Sequence, residues 1–174
     1  MFNVLLVAAA LLTMRETRLD VVSNLDVNRY MGRWFEIARL PNRFQDKCVS
    51  DVEANYSVQP DSRISVVNRC RERDGNVTEA QGVARRVDGA PPSVLQVRFA
   101  PAFLSFLSAV WGDYQVIALD DAHTHAVVGS PDRKYLWVLA RTPSLDDGTY
   151  DQLLQIAKKQ GFDVSRVVRT AHTK

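Results

Sequence analysis

Residues 28–39 read NRYMGRWFEIAR, and this stretch decides the fold of the chain. The run from Trp34 to Leu40 is rich in apolar residues and is ended by a Pro-Asn pair, which predicts a β-strand. Glu36 lies two residues after Trp34, so both side chains project from the same face of that strand. A dry sandwich core would not take a carboxylate there, because burying an unpaired charge is costly. The stretch therefore favours a strand of a hollow barrel with a partly hydrated interior.

Seven further strand candidates follow along the chain, separated by turn signals such as Asp74-Gly75. Several of them carry polar or aromatic side chains on the same face as aliphatic ones, as the first strand does. The candidates span Val49–Val58, Ile64–Cys70, Val77–Val87, Ser93–Phe99, Tyr114–Asp120, His123–Gly129 and Tyr135–Arg141. This pattern predicts an all-β fold, an eight-stranded antiparallel up-and-down β-barrel.

One helix is expected after the last strand candidate. Ser144 and Asp147 have the spacing of a helix N-cap followed by an acidic first turn, and Gly161 is placed to end the helix. Between them an apolar stripe of Leu153, Leu154, Ile156 and Ala157 predicts an amphipathic helix. A helix with one apolar face packs against the outside of the sheet, and a short final strand is expected at Val164–Arg169.

Length and composition indicate one globular domain, which we place at residues 25–174. The chain has 174 residues, 46% of them hydrophobic and 24% charged, with a formal net charge of +2. No cluster of basic residues points to nucleic acid, so we expect no nucleic-acid partner. No uncharged apolar run is long enough for a membrane span.

The N-terminus resembles an export signal. Residues 1–14 (MFNVLLVAAALLTM) are almost uninterruptedly apolar, as in the hydrophobic region of a secretory signal, and residues 15–24 form a polar connector. We therefore expect an exported protein, in the periplasm or associated with the outer membrane. No cysteine follows the apolar run, so this sequence offers no thiol for lipid attachment.

The two cysteines, Cys48 and Cys70, lie on consecutive strand candidates joined by a turn. In an oxidising compartment they could pair across that hairpin, provided that bulges make up a mismatch in register. The alternative is a pair of buried free thiols.

Three motifs in register resemble the lipocalin family. The stretch around Gly32-Arg33-Trp34 is similar to the first lipocalin signature, Gly112-Asp113-Tyr114 stands in the place of the second, and Arg141 stands in the place of the third. The similarity runs from about Leu25 to Phe162 and is greatest to bacterial members of the outer-membrane lipoprotein type. It implies that Trp34 plugs one end of the barrel under the Arg141 guanidinium, with Gly32 allowing a close chain crossing. These three residues are expected to determine the fold rather than to contact a ligand.

The same resemblance implies a set of residues that line a ligand cavity. Three of them would supply an apolar wall, two would hydrogen-bond a hydroxyl or ester, and one is the inward carboxylate; in order of position they are Glu36, Tyr56, Asn68, Phe99, Tyr114 and Trp137. Ordinary core packing is the alternative for each, but as a set they favour a pocket.

The segment Pro101–Trp111 joins two strands and would lie at the open mouth of such a barrel. Its large apolar side chains cannot all be buried under so short a loop; they are Phe103, Leu104, Phe106, Leu107 and Trp111. Such a cluster is typical of a surface that faces a membrane, forms a homodimer or gates a ligand. A short helix folded back on the barrel edge is the alternative.

The favoured function is the binding, storage or transport of small amphipathic ligands, such as fatty acids or lysophospholipids, in the bacterial cell envelope. We expect neither a cofactor nor a bound metal. A protein-interaction module that docks through residues 103–111 is the alternative. An enzyme is less favoured: His123 and His125 share a predicted strand near Asp120 but lack a third ligand, and Glu36 lacks a partner for acid–base chemistry.

Overall fold

The computed structural model of the chain describes residues 18–173. The expected signal at residues 1–14 lies outside this range. In chain order the elements are α1 (Val27–Tyr30), β1 (Gly32–Arg39), β2 (Cys48–Val58), β3 (Ile64–Glu72), β4 (Val77–Arg86), β5 (Val94–Arg98), β6 (Gly112–Leu119), β7 (His125–Gly129), β8 (Leu136–Ala140), α2 (Asp147–Lys159) and β9 (Val168–Arg169). Short 3-10 turns occupy Ala102–Leu104, Ser108–Val110 and Val164–Arg166.

The strands close into a barrel. Each of β1 to β7 pairs antiparallel with the strand that follows it, and β8 returns to pair with β1. The eight-stranded antiparallel barrel expected from the sequence is therefore confirmed. The short β9 adds to β1 as an extra strand on the barrel wall.

Because the strands alternate in direction, their connections fall at two opposite ends. The closed end carries α1 and the loops at 59–63, 87–93 and 120–124. The open end, which we call the mouth, carries the loops at 40–47, 73–76, 99–111 and 130–135.

Two hydrophobic clusters share the strands, one on each face. Side chains such as Val128 and Leu139 pack inside the barrel, and their neighbours Val127 and Val138 pack outside it under α2. This alternation follows from the two-residue period of a strand. At Gly129 a Cβ atom would collide with the ring of Phe162, so glycine allows that ring to lie directly on the barrel wall.

The closed end is sealed around Trp34, which has no exposed surface. The Arg141 guanidinium lies 3.8 Å from the centroid of the indole and donates hydrogen bonds to the backbone carbonyls of Arg33, Arg29 and Met31. Gly32 has φ +89°, a conformation that favours glycine, where the chain passes beside the guanidinium. The cation–π contact, together with the hydrogen bonds from Arg141 to these carbonyls and to that of His123, holds α1 and β1 across the end of the barrel.

Two details of the expected C-terminal region are wrong. Asp146, not Ser144, is the N-cap of α2, because its carboxylate accepts the backbone N–H of Thr149. The final strand is also shorter than Val164–Arg169, since residues 164–166 form a 3-10 turn after the Asp163 cap. No helix within residues 18–173 is long and apolar enough to cross a bilayer.

Cys48 and Cys70 form a disulfide, with their Cα atoms 5.5 Å apart, so the pairing expected from the hairpin is confirmed. Two register shifts in the β2–β3 pairing, after Cys48 and after Ser50, bring the cysteines together. Asp51 lies in this irregular stretch with φ 53°. The expected bulges therefore make up the mismatch between the two strands.

Candidate ligand-binding cup

The inner face of β4 passes from solvent into the packed interior as it descends from the mouth. Ala80 is exposed, Gly82 is half-buried and Ala84 is 2% exposed, and all three point to the same face of the strand. The strand pairing accounts for this gradient: at Ala80 β4 pairs only with β3, whereas its pairing with β5 covers residues 83–86, so the inner face of the β3–β4 hairpin is uncovered at the mouth. The barrel is therefore a cup that opens at the mouth and is sealed at the closed end.

A small cavity lies near the bottom of this cup. Its volume is about 10 Å³, enough for roughly one water molecule. Apart from three tyrosines its lining is apolar; the lining residues are Tyr30, Met31, Tyr56, Ile64, Val66, Ala84, Leu95, Val97 and Tyr114.

The three tyrosines of the lining form a hydrogen-bonded group that we call the tyrosine triad. The hydroxyl of Tyr114 lies 2.8 Å from that of Tyr30 and 3.2 Å from that of Tyr56. The rings of Tyr30 and Tyr56 are stacked, with centroids 6.0 Å apart, and the ring of Tyr30 lies 4.9 Å from that of Trp34. The triad thus lies at the bottom of the cup, beside the Trp34 plug.

Burial keeps the triad protonated. It raises the pKa of Tyr56 to about 12, and it raises the pKa values of Tyr30 and Tyr114 well above the ordinary tyrosine value. At physiological pH the triad therefore contains no phenolate.

Nearer the mouth, Glu36 is a buried carboxylate with three donors. It is 3% exposed and accepts hydrogen bonds from Arg39 at 2.7 Å, Gln45 at 2.6 Å and Thr170 at 2.5 Å. The donors come from β1, the loop that follows it and the segment after β9. A buried charge so fully paired ties three parts of the chain together on one side of the mouth.

Gln45 links this carboxylate to Trp137. Its side-chain oxygen accepts hydrogen bonds from Trp137 Nε1 at 2.9 Å and from Asn42 Nδ2 at 2.8 Å. The indole of Trp137 is stacked on Tyr135, with ring centroids 5.9 Å apart, and packs against the inner cluster. Trp137 is thereby held at the mouth with one part of its ring toward the interior.

Four buried side-chain polar atoms have no hydrogen-bond partner within the described part of the chain, and two of them, Asn68 Oδ1 and Arg39 Nε, belong to residues in the upper half of the barrel. Asn68 pairs with Ala54 on β2 and Ala80 on β4, so it stands on the inward face of the wall. Arg39 of β1 is the register partner of Trp137 of β8, so its side chain lies on the same, inward face of the wall. An acceptor and a donor are thus available in the upper half of the cup.

The structure distributes the six predicted ligand residues over three levels. Tyr56 and Tyr114 meet at the floor, Asn68 stands on the wall, and the other three lie nearer the mouth, where Glu36 and Trp137 are linked through Gln45. Phe99 is 47% exposed, with its ring over the backbone of Gly82. Their contact with a ligand stays a prediction.

Sequence reasoning missed several residues of the site, chiefly Tyr30, Met31, Gln45 and Thr170. Tyr30 and Met31 lie outside the strands, so no two-residue alternation pointed to them, although both stand within the first signature stretch. Gln45 lies in a loop and Thr170 follows the last strand. Nothing in their local sequence signals that both donate to Glu36.

Large apolar side chains are exposed at the mouth. Phe103 and Phe106 are 74% and 79% exposed on the loop at 99–111, and Phe44 is 66% exposed on the loop at 40–47. Leu107 is exposed as well, whereas Leu104 and Trp111 are half-buried. The Trp111 ring lies 3.9 Å from the Arg85 guanidinium, against the outer wall, which anchors the loop and leaves its phenylalanines in solvent.

The histidine pair is not arranged as expected. His123 lies in the turn before β7 with φ 59°, so it does not share a strand face with His125. Asp120 instead accepts the backbone N–H groups of Thr124 and His125 and closes the turn. Within residues 18–173 no group of three or more His, Cys, Asp and Glu side chains is placed to hold a metal ion.

Comparison with known sequences gives consistent matches. Residues 25–172 match the family model described as a lipocalin-like domain. The chain is 40% identical over 154 residues to temperature-induced lipocalin-1 of Arabidopsis thaliana, covering 87% of this chain and 82% of that protein. It is 38% identical over 148 residues to outer membrane lipoprotein Blc of Escherichia coli, covering 85% and 80%. Apolipoprotein D of Mus musculus is 29% identical over 158 residues, covering 86% and 78%.

Solved structures with the same fold include lobster apocrustacyanin A1, with a TM-score of 0.67 at 18% identity, covering 86% of this chain and 81% of that one. Insecticyanin of the tobacco hornworm Manduca sexta matches with a TM-score of 0.66 at 19% identity, covering 90% and 86%. At these identities the likeness concerns the fold alone.

Proposed function

The chain belongs to the lipocalin family, whose members bind small hydrophobic ligands, and we propose that it binds fatty acids or lysophospholipids in its cup and stores or transports them in the bacterial cell envelope. The observation that carries the proposal is the graded burial down the inner face of β4, from exposed Ala80 to buried Ala84. Family members are generally binding or transport proteins, and an enzyme has no support from the arrangement of side chains described above.

The energetics favour a chain-like ligand. Each methylene group that leaves water contributes about 0.8 kcal/mol, so an acyl chain needs few specific contacts. The acyl chain first meets the open inner face of β4 beside Asn68 and Phe99. Because the cavity below holds only about 10 Å³, the acyl chain must then displace side chains that line the cavity. Among these, the unbranched Met31 adapts most readily.

The polar groups of the upper cup suit a head group that both donates and accepts hydrogen bonds. Asn68 Oδ1 is a buried acceptor and Arg39 Nε a buried donor, and each lacks a partner among residues 18–173. A lysophospholipid carries a hydroxyl together with ester and phosphate oxygens, which would satisfy both atoms. The Glu36 carboxylate next to Arg39 disfavours a second anion there, and a lysophospholipid can offer its uncharged hydroxyl and ester oxygens where a fatty acid has only its carboxylate, so we rank lysophospholipids above fatty acids.

The mouth would meet the lipid surface from which such a ligand is taken. Phe44, Phe103 and Phe106 project from two mouth loops, and Arg43 and Lys47 flank the first of them. Exposed aromatic rings beside basic residues match the acyl boundary and anionic head groups of a bilayer. The similarity to an outer membrane lipoprotein supports a place in the envelope, at the periplasmic side or on the outer membrane.

The test is a fluorescence titration of delipidated protein with lysophosphatidylcholine and with hexadecanoic acid. We expect saturable quenching with micromolar or lower Kd, carried mainly by Trp137 because it packs against the interior at the mouth. The variant Trp137→Phe should lose most of the signal, whereas Trp111→Phe, on the outer wall, should keep it. If equilibrium dialysis shows that neither lipid binds, the proposal is overturned.

A further inference from the structure

The segment at residues 18–26 runs along the outside of the barrel toward the closed end. Asp20 is bonded twice to Gln160: its N–H donates to Gln160 Oε1 at 2.9 Å, and its carbonyl accepts from Gln160 Nε2 at 3.0 Å. Farther along, the N–H of Val22 donates to the carbonyl of Val116, midway along β6, and α1 then follows at the closed end. The segment therefore starts at the level of the barrel that Gln160 occupies.

Gln160 lies at the level of the mouth. Because β8 ends at the closed end, α2 starts there and runs back toward the mouth. Arg133, on a mouth loop, donates to the carbonyl of Gln160 at 3.1 Å. The ring of Phe162 lies on Gly129, the last residue of β7 before the same mouth loop. The chain that precedes Asp20 therefore leaves the barrel at the mouth.

The apolar run at residues 1–14 is attached close to this exit. Only residues 15–17 separate it from residue 18. An extended chain covers about 3.5 Å per residue, so the attached end of the run lies within about 15 Å of residue 18. The eleven residues of β2, tilted by about 40°, give the barrel wall a height of about 28 Å. The attached end of the run is thus kept to the mouth side of the molecule.

The mouth therefore has two apolar features at one end of the molecule. The first is the set of exposed rings of Phe44, Phe103 and Phe106. The second is the run at residues 1–14, which is apolar except at Asn3 and Thr13. Because such a run is apolar on every side, docking on the mouth rings would cover only one of its sides, whereas a bilayer covers all of them.

The run is suited to insertion into one leaflet. Fourteen residues in a helix would measure about 21 Å, less than the hydrocarbon core of about 30 Å. The residues that follow, Arg15-Glu16-Thr17-Arg18, are charged or larger than the small residues that a signal cleavage site requires. This composition favours a run that stays attached to the protein.

We propose that residues 1–14 stay on the protein and insert into the same lipid surface as the mouth phenylalanines, so that the barrel is tethered with its mouth facing the bilayer. The inference rests on the lipid contact of the mouth put forward in the proposed function and adds a second attachment at the same end. The expected export signal would then also be the anchor. A lipid could pass between bilayer and cup without crossing open water.

Intact mass and vesicle flotation test the attachment. The chain isolated from the membrane fraction of an expressing bacterium should keep residues 1–14 and its full mass of 19.6 kDa. Purified full-length protein should float with vesicles of phosphatidylethanolamine and phosphatidylglycerol. Leu6→Glu, in the middle of the run, should reduce the floated fraction at least fivefold, whereas Val58→Glu, at an exposed position near the closed end, should keep it. A mass that lacks the run, or equal flotation of the two variants, would overturn the tether.

The orientation is measured with two added tryptophans. Phe106→Trp adds one at the mouth, and Val58→Trp adds one near the closed end. Vesicles with dibrominated acyl chains should quench the emission gained in Phe106→Trp and leave the emission gained in Val58→Trp. Equal quenching, or the reverse order, would overturn the arrangement with the mouth toward the bilayer.

Failure of the tether can be told apart from failure of the proposed function. Calorimetry with lysophosphatidylcholine in the absence of vesicles measures ligand binding alone. If the ligand binds but the run is cleaved off or does not contribute to flotation, the tether fails and the carrier function stands. If no ligand binds but Phe106→Trp is quenched and Leu6→Glu no longer floats, the carrier function fails and the tether stands.

Discussion

At the closed end of the barrel, Trp34 is fully buried as part of the inner hydrophobic cluster, with the Arg141 guanidinium over its indole. At the mouth, the buried Glu36 is held by a strand, a loop and the segment after β9. The closed end is thus sealed by apolar packing with one cation–π contact, whereas the mouth is organised by a buried charge and keeps exposed aromatic rings. Under the proposed function, the first end maintains the fold and the second receives the ligand.

The largest effect is expected where the closed end is opened. Trp34→Ala removes a fully buried indole and leaves a cavity, which should lower the free energy of unfolding by about 3–5 kcal/mol. Trp137→Phe at the mouth keeps an aromatic ring and should cost about 1 kcal/mol, from its lost hydrogen bond to Gln45. Urea denaturation measures both. Comparable losses in the two variants would remove the distinction between the ends.

The next effect concerns the buried charge at the mouth. Glu36→Ala removes the ion-pair partner of the largely buried Arg39 guanidinium, so the free energy of unfolding should fall by roughly 3 kcal/mol. Glu53→Ala, in the exposed 4.0 Å pair with Arg33, is the matched control and should cost less than about 1 kcal/mol. If Glu36→Ala is as mild as the control, then this network does not organise the mouth.

These two regions differ in how far sequence could predict them. The Gly-x-Trp stretch and the distant arginine identify the closed end because each matches a residue type at a set position of the family's signatures. The inward face of each strand follows from alternation, which also placed Tyr56 and Asn68. Gln45 and Thr170 could not be predicted, since their donation to Glu36 depends on where a loop and a terminal segment come to lie in space. His123 was misplaced because its left-handed conformation ends the alternation before β7.

A smaller effect is expected from the segment after β9, which is fastened to β2 by Asp51. Burial raises the pKa of Asp51, but hydrogen bonds from Arg71, Thr173 and Ser50 outweigh it and hold the pKa well below its ordinary value. A carboxylate with a depressed pKa stabilises the fold above its ordinary pKa of about 3.9, and the contribution is lost as the pH falls below about 5.

The variant Asp51→Asn tests this fastening. Urea denaturation at pH 7, 5 and 3 should show the wild type losing its advantage over the variant as the pH falls. Backbone amides at Thr170 and Thr173 should exchange with solvent faster in the variant at pH 7. Parallel pH profiles for the two proteins would contradict the role given to Asp51.

The smallest effect on stability is expected at the mouth surface. Changing Phe103 and Phe106 together to serine should leave the free energy of unfolding within about 0.5 kcal/mol, because both rings are exposed. The same variant should bind less to vesicles of phosphatidylethanolamine and phosphatidylglycerol in a flotation assay. If vesicle binding is unchanged but light scattering shows that a wild-type dimer has become a monomer, the surface joins two copies of the chain instead of contacting lipid.

The central claim, that the ligand lies inside the cup, is tested most directly by two adjacent positions on β4. Ala80 and Gln81 are both exposed, but Ala80 faces inward and Gln81 outward. Calorimetric titration with lysophosphatidylcholine should show at least a tenfold loss of affinity in Ala80→Trp, whose indole blocks the cup, and no change in Gln81→Trp. Equal affinity in the two variants would contradict a ligand site within the barrel.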